Sequence, residues 1–279
     1  MRQIEVAQVT QAVKTAAIAA NYEPGVDLLA ALAQGAETEE SPVGKEIFRQ
    51  LLENARIARE ERIPMCQDCG LAVVFAEVGQ EVHLVGGDFE AAVQEGIRQG
   101  YREGYLRKSL CHPLTRANTG DNTPGVIHTE IVPGDRLKLT VVPKGGGSEN
   151  MSRLYMLKPA EGLAGIKEKV VATVEEAGPN PCPPIIVGVG IGGTFERAAL
   201  LAKKSLLREL GQAHPNPEVA DLERQLLKEV NQLGIGPQGL GGRITALAVH
   251  VLMQPCHIAS LPVAVNLQCH ASRHKEVVL

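Results

Sequence analysis

The sequence predicts an α+β fold: a mixed sheet with flanking helices behind a helical N-terminal region. Three observations predict it. Apolar residues in the first third recur at spacings of three and four, the period of a helix face. The middle carries strand-like runs joined by turn residues. The second half interleaves β-branched apolar runs with amphipathic stretches. No internal repeat, low-complexity tract or cutting linker interrupts the pattern, so residues 1–279 are expected as one domain, with a helical part over about 1–63.

The elements follow in order. Val6, Val9, Val13 and Ala17 form a helix stripe, and Leu28, Leu29 and Leu32 follow in a short segment. Ile47, Phe48, Leu51, Leu52 and Ala55 make a second stripe over about 43–62, with Lys45, Arg49, Glu53 and Glu60 on its solvated face and Pro64 ending it. Residues 71–78, rich in Val and Ala, predict a strand with 82–85 as its hairpin partner. Asp88 predicts the N-cap of a helix over 89–102. Strands are expected at 126–131 and 137–142, joined by Pro133-Gly134-Asp135. In the second, Leu137, Leu139 and Val141 alternate with Arg136, Lys138 and Thr140, so one face is buried. Helices follow at 164–177, 194–210 and 218–233, with strands at 185–190, 244–253 and 261–268.

Composition excludes several classes of function. The chain is 44% hydrophobic and 22% charged, ordinary for a globular protein and wrong for a disordered one. Its net charge is −4, and its aromatics are four Phe and four Tyr with no Trp. Single-stranded nucleic acid requires a basic groove and stacking rings, so no nucleic-acid partner is expected. The longest clearly apolar stretch, Ile244–Met253, contains Thr245 and His250. It is about half of what a membrane span needs, so no membrane role is expected. Met1-Arg2-Gln3-Ile4-Glu5 shows no apolar run behind a basic start, which predicts a cytoplasmic address. There the six cysteines, at 66, 69, 111, 182, 256 and 269, stay reduced. A small buried hydrophobe is the ordinary reading of each.

Their neighbours argue for more. Cys66-Gln67-Asp68-Cys69 has C-x-x-C spacing but no second pair to complete a zinc ribbon, and it lies between a helix and a strand rather than opening a helix as a redox pair does. A third reading takes Cys66 alone as a ligand, Cys69 as packing, and Asp68 as a carboxylate beside the metal. Pro181-Cys182-Pro183-Pro184 holds a thiol in a stiffened loop, either as a ligand or as a loop residue under the sheet. Gly188-Val189-Gly190-Ile191-Gly192-Gly193 matches the dinucleotide pattern, but about twenty residues on, where an acidic strand end should lie, the sequence is still helical. The glycines can still place backbone amides and a helix N-terminus near an anion, with close strand-on-helix packing as the equal alternative. Lys144-Gly145-Gly146-Gly147-Ser148-Glu149-Asn150 has more glycines than a hairpin needs, which favours an anion-binding nest of amides. Cys256-His257 and Cys269-His270 flank the last predicted strand; one cysteine as ligand and one histidine as substrate contact fits them best.

Taken together these residues resemble the alpha subunit of the class I, oxygen-sensitive iron–sulfur fumarate hydratase and L-tartrate dehydratase family. The resemblance covers essentially the whole chain. Its motifs are Pro64-Met65-Cys66-Gln67-Asp68, Leu106-Arg107-x-Ser109, the 144–150 segment, Cys182-Pro-Pro, Gly190-Ile-Gly-Gly, Gly234 to Gly242, and Leu261-Pro-Val-Ala-Val-x-x-x-Cys269. It implies one alpha-type catalytic domain and a 4Fe–4S cluster held by Cys66, Cys182 and Cys269. A cluster with three thiolates leaves one iron open as a Lewis acid. It implies Asp68 as a catalytic acid/base, and substrate contacts at Gln67, Arg107, Gly146, Gly147 and His257. The implied reaction is reversible hydration of fumarate to malate, with L-tartrate dehydration as the alternative; an electron-transfer iron–sulfur protein would want a fourth ligand and a compact cysteine run. Cys69 stands where a Thr is usual, and the stretch between Arg107 and Asn118 is shorter than in longer relatives. The family's single-chain members carry a further domain, so a beta subunit, in an α2β2 assembly, and a small dicarboxylate substrate are the expected partners.

Overall fold

A computed structural model describes all 279 residues. The mixed α/β class is as expected, with the strands shared among separate sheets. The chain divides into two compact units, Met1–Gly25 with Ala55–Gly146 and Arg273–Leu279, and Val26–Asn54 with Gly147–Ser272.

The first unit holds β1 (Arg2–Glu5), α1 (Val6–Tyr22), β2 (Leu71–Gly79), β3 (Val82–Val85), α4 (Phe89–Glu103), β4 (Val126–Val132), β5 (Leu137–Lys144) and β10 (Lys275–Val278). Its main sheet runs β10-β5-β2-β4, with β2 parallel to β4 and antiparallel to β5. One expected pairing is therefore corrected. β3 pairs in parallel with β1, not with β2. β4 and β5, joined through Pro133–Asp135, flank β2 on either side. β2 is buried along nearly its whole length, so it takes the centre, while β4 has exposed positions at Val126 and Ile131 and takes the edge. Asp88 caps α4, accepting from the Ala91 amide at 2.7 Å. α1 and α4 cross closely because Gly96 and Gly100 of α4 carry no side chain; a Cβ at Gly96 would lie 2.7 Å from the Thr10 carbonyl oxygen. Val9, Val13 and Ala17, three of the predicted stripe, are buried in the resulting core.

The second unit holds α2 (Val26–Thr38), the first part of α3 (Pro42–Glu61), β6 (Arg153–Leu157), α6 (Gly162–Ala177), β7 (Ile185–Gly192), α7 (Phe195–Ser205), α8 (Pro217–Asn231), β8 (Ala246–Gln254) and β9 (Leu261–Gln268). A short helix, α5 (Gly146–Asn150), begins at the end of the first unit. The sheet order is β6-β9-β7-β8, with β7 parallel to β8 and antiparallel to β9. β7 is buried at every position. Its side chains alternate in the usual strand manner. Val187 and Val189 join the core formed with α6 and α8. Gly188 and Gly190 face α7, where a Cβ would come within 2.2 Å of the Ala202 carbonyl and 2.1 Å of the Ala198 carbonyl. The Gly188–Gly193 pattern thus serves strand-on-helix contact. The helix expected over 194–210 ends at Ser205, where the chain turns and the Leu210 amide is taken up by the Asp27 carboxylate.

Three short strands, β1, β6 and β10, were not expected. Each has four or five residues, too few to show a period. No helix is long and apolar enough to cross a membrane.

One buried group sets an acid limit on the second unit. His250 on β8 is 3% exposed, and its Nδ1 has no partner. Burial, then the Arg208 charge, lowers its pKa from 6.5 to about 4, against smaller opposing effects from the Ser205 backbone and Asp27. The folded chain therefore binds fewer protons than the unfolded chain between these values, and stability falls as the pH drops from 6.5 towards 4. Chemical denaturation at pH 7 and pH 5 should show this loss, and His250→Gln should flatten it; an equally steep loss in the variant would assign it to other groups.

Candidate functional site

In the first unit the sequence-predicted residues gather on the Cys66–Gly70 loop between α3 and β2. The Asp68 carboxylate is held by three donors from three segments: Oδ1 accepts from the Gly70 amide at 2.9 Å and the Ser109 hydroxyl at 3.3 Å, and Oδ2 accepts from the Gly146 amide at 2.7 Å. Gly70 adopts φ +74 and sits where a Cβ would come within 2.7 Å of the Lys144 backbone, so only glycine lets the loop approach β5 this closely. The Gly70 carbonyl accepts from the buried Tyr101 hydroxyl at 3.0 Å and from Asn122 Nδ2 at 3.1 Å. Asn122 Oδ1 in turn accepts from the Ser109 amide at 2.7 Å, which aims the Ser109 hydroxyl at Asp68.

Cys66, Gln67 and Arg107 line one pocket of about 240 Å³, together with Pro64, Cys69 and the exposed Tyr105. The Cys66 thiol donates to Gln67 Oε1 at 3.4 Å, and its sulfur accepts the Asp68 amide N–H at 3.4 Å. Arg107 is exposed, and no carboxylate pairs with its guanidinium. Cys69 is 2% exposed and belongs to the core. Burial pushes its thiol pKa up, more than the Arg107 backbone N–H and the Arg273 charge pull it down. Cys69 is a packing residue, and the C-x-x-C is not a matched pair of reactive thiols.

The glycine segment differs from expectation. Gly145, Gly146 and Gly147 have no left-handed φ and lead into α5, so they form no nest. The Gly146 amide donates to Asp68 Oδ2. Gly147 lies in the second unit against Asn180; a Cβ there would be 3.2 Å from the Asn180 carbonyl.

In the second unit the loops carrying Cys182 and Cys269 are joined. Cys182 is exposed and holds a left-handed φ of 55°, strained for a residue with a side chain. Its carbonyl accepts from the His270 amide at 3.3 Å and lies 3.0 Å from His270 Nδ1. Gln238, also left-handed, donates to the Pro183 carbonyl through its backbone and its side-chain amide, both at 2.7 Å, and its Nε2 lies 3.1 Å from His270 Nδ1. Gln238 belongs to the Gly234–Gly242 motif, which is anchored at its far end by Glu39. That carboxylate is 1% exposed. Burial pushes its pKa up, but the amides of Arg243, Ser41, Ile244 and Glu40 all donate to it and together outweigh that push, so the net shift is downward.

His257 is placed elsewhere. It lies in the exposed loop before β9, and Cys269 follows β9, whose eight residues separate them. At about 3.3 Å per residue that is roughly 25 Å, so the second unit does not bring His257 to Cys182 and Cys269. Cys256 lies in the same exposed loop, its thiol donating to the Ser260 carbonyl at 3.2 Å. Cys111, in the first unit, forms an isolated antiparallel bridge with Asn118. Within neither unit do three His, Cys, Asp or Glu side chains meet at a point suited to a single ion.

The sequence assigns no role to Ser109, Asn122, Gln238 or Arg273. Ser109 stands inside the Leu106–Ser109 motif, and its spacing of two from Arg107 is the available signal. Gln238 likewise stands inside the Gly234–Gly242 motif, whereas Asn122 and Arg273 bond through the tertiary fold and leave no local pattern.

A family model described as fumarate hydratase (Fumerase) matches residues 10–278. A Methanocaldococcus jannaschii protein, provisionally named L(+)-tartrate dehydratase subunit alpha, is 43% identical over 261 residues, covering 91% of each chain. L(+)-tartrate dehydratase alpha subunits of Escherichia coli UTI89 and K12 are 36% and 34% identical over 251 residues, covering 88% of this chain and 82% of theirs.

The Gln238 contacts make a local prediction. Gln238→Ala keeps its backbone donor and removes the side-chain amide, which should cost about 1 kcal/mol in urea unfolding. No change in midpoint would show that the amide contributes nothing to holding Pro183.

Proposed function

The chain belongs to the fumarate hydratase (Fumerase) family, and from that premise we propose that it is the alpha subunit of a two-subunit iron–sulfur hydro-lyase acting on L(+)-tartrate. The observation that carries this reading is the match, over 88–91% of the chain, to proteins named L(+)-tartrate dehydratase subunit alpha. The same relatives reverse the order expected from the sequence: tartrate comes first and fumarate second. The word alpha in their names supports a beta-subunit partner, with α2β2 as the assembly to test.

Cys66, Cys182 and Cys269 would hold a 4Fe–4S cluster. The donors suit it: none is in a disulfide, all three are at least partly exposed, and the Cys66 sulfur already accepts an amide N–H, as a cluster thiolate does. When bound, the cluster would supply a Lewis-acidic iron that makes the substrate hydroxyl a better leaving group.

The chain's own residues supply the rest. Arg107, unpaired beside Gln67, can grip one substrate carboxylate through two parallel N–H bonds. Gln67 can orient the same substrate through its side-chain amide. Asp68 can take the proton from the carbon next to the one that loses hydroxide. Its Oδ1 is occupied by two donors and its Oδ2 by one, so Oδ2 is the atom with a lone pair to spare. His257, at the far end of β9 from Cys269, is left out of this set. The remaining acid/base group and the second carboxylate clamp are assigned to the beta chain.

Three measurements test the reading. The anaerobically reconstituted complex should dehydrate L(+)-tartrate with a higher kcat/KM than it shows for malate or fumarate; faster turnover of fumarate would restore the second reading. Cys66→Ser, Cys182→Ser and Cys269→Ser should each lose cluster iron, whereas Cys69, Cys111 and Cys256 variants should keep it; full iron in Cys182→Ser would remove that ligand. Arg107→Lys keeps the charge but not the fork, and should lower kcat/KM by about tenfold to a hundredfold with iron retained. Unchanged kinetics would take Arg107 out of the site.

A further inference from the structure

Arg273 is a buried cation without a counter-ion. It opens the final segment of the first unit and is 4% exposed. One of its terminal nitrogens donates to the Asp68 carbonyl. Its Nε and its other terminal nitrogen are buried and have no partner. Its charge acts on Cys69 and Tyr101, a thiol and a phenol whose pKa burial raises more than Arg273 lowers it, so neither supplies it an anion. The nearest carboxylate on the same loop, that of Asp68, is turned to Gly70, Ser109 and Gly146.

An uncompensated guanidinium in a protein interior costs several kcal/mol. Removing one partner of a buried pair leaves this kind of orphan, so the arrangement is that of a pair whose anion is missing. The anion belongs at the Cys66–Asp68 loop, because that is where Arg273 is anchored. Resting on the cluster assignment above, we propose that Arg273 is a positioning residue that compensates the negative charge of the thiolate-bound cluster at Cys66 and, through the Asp68 carbonyl, holds the loop that carries both residues. Arginine suits this position because it stays charged when buried, and its fork lets one arm fix the loop while the rest faces the anion.

The test compares Arg273→Met, which keeps the bulk and removes the charge, with Arg273→Lys, which keeps the charge. In the reconstituted two-subunit complex, Arg273→Met should move the cluster midpoint potential to a more negative value, because a nearby positive charge favours the reduced cluster. It should also speed iron loss to a chelator on the order of tenfold or more. Arg273→Lys should restore most of the potential. In the metal-free full-length chain, Arg273→Met should melt no lower than wild type, because it removes an unpaired buried charge; a merely structural arginine would give a lower melting temperature and an unchanged potential, and that result would overturn the proposal. A raised KM for tartrate with unaltered potential and iron loss would also overturn it, placing the missing charge on the substrate. If the wild-type complex takes up no cluster at all, the functional reading fails first, and the role of Arg273 with it.

Discussion

Three hydrogen bonds converge on the carboxylate of Asp68, and the order of the Cys66–Gly70 loop depends on them. They come from the loop itself, from the segment after α4 and from the end of β5. Each donor is placed by a different element, so the carboxylate cannot move without disturbing all three. Gly70 makes the arrangement possible by letting the loop touch β5, and Tyr101 and Asn122 hold its carbonyl from the other side. Bonds from backbone amides and a hydroxyl to a carboxylate are stronger than bonds between neutral groups.

The second unit solves a similar problem with neutral groups. Cys182 and Cys269 lie at the same end of antiparallel β7 and β9, since Ile186 pairs with Gln268. Register alone therefore brings their loops together, and His270 and Gln238 fasten them. The glycine-rich 234–242 segment that carries Gln238 is pinned by the buried Glu39 carboxylate. A hydrogen bond to a charged group is worth about 1.5–3 kcal/mol, so Glu39 anchors this segment at one end while Gln238 grips the cysteine loop at the other.

Glycine has three separate uses in this chain, and they are easily confused in a sequence. At Gly188 and Gly190 it allows α7 to press on β7, which explains a dinucleotide-like pattern with no acidic strand end behind it. At Gly70 it allows a left-handed turn against a backbone. At Gly146 it leads an amide to Asp68. The composition of a glycine run does not distinguish these uses; the neighbour against which it packs does.

Long elements were legible in the sequence because a repeated period reports a buried face wherever that face ends up. α1, α4, α8, β7 and β9 all fall where the pattern puts them, and the Asp88 cap does so through a bond within its own turn. Cys66, Gln67, Asp68 and Arg107 were legible as motif residues, and three of them share a pocket. Strand partners were not, because β3 and β4 have local patterns compatible with either neighbour, and pairing is decided by which strand the core buries most fully. The distance of His257 from Cys269 follows from the predicted strand over 261–268, which stands between them as the extended β9. The solitary buried charge of Arg273 was invisible, since a sequence records that a residue is charged and only the packed fold records what it is left facing.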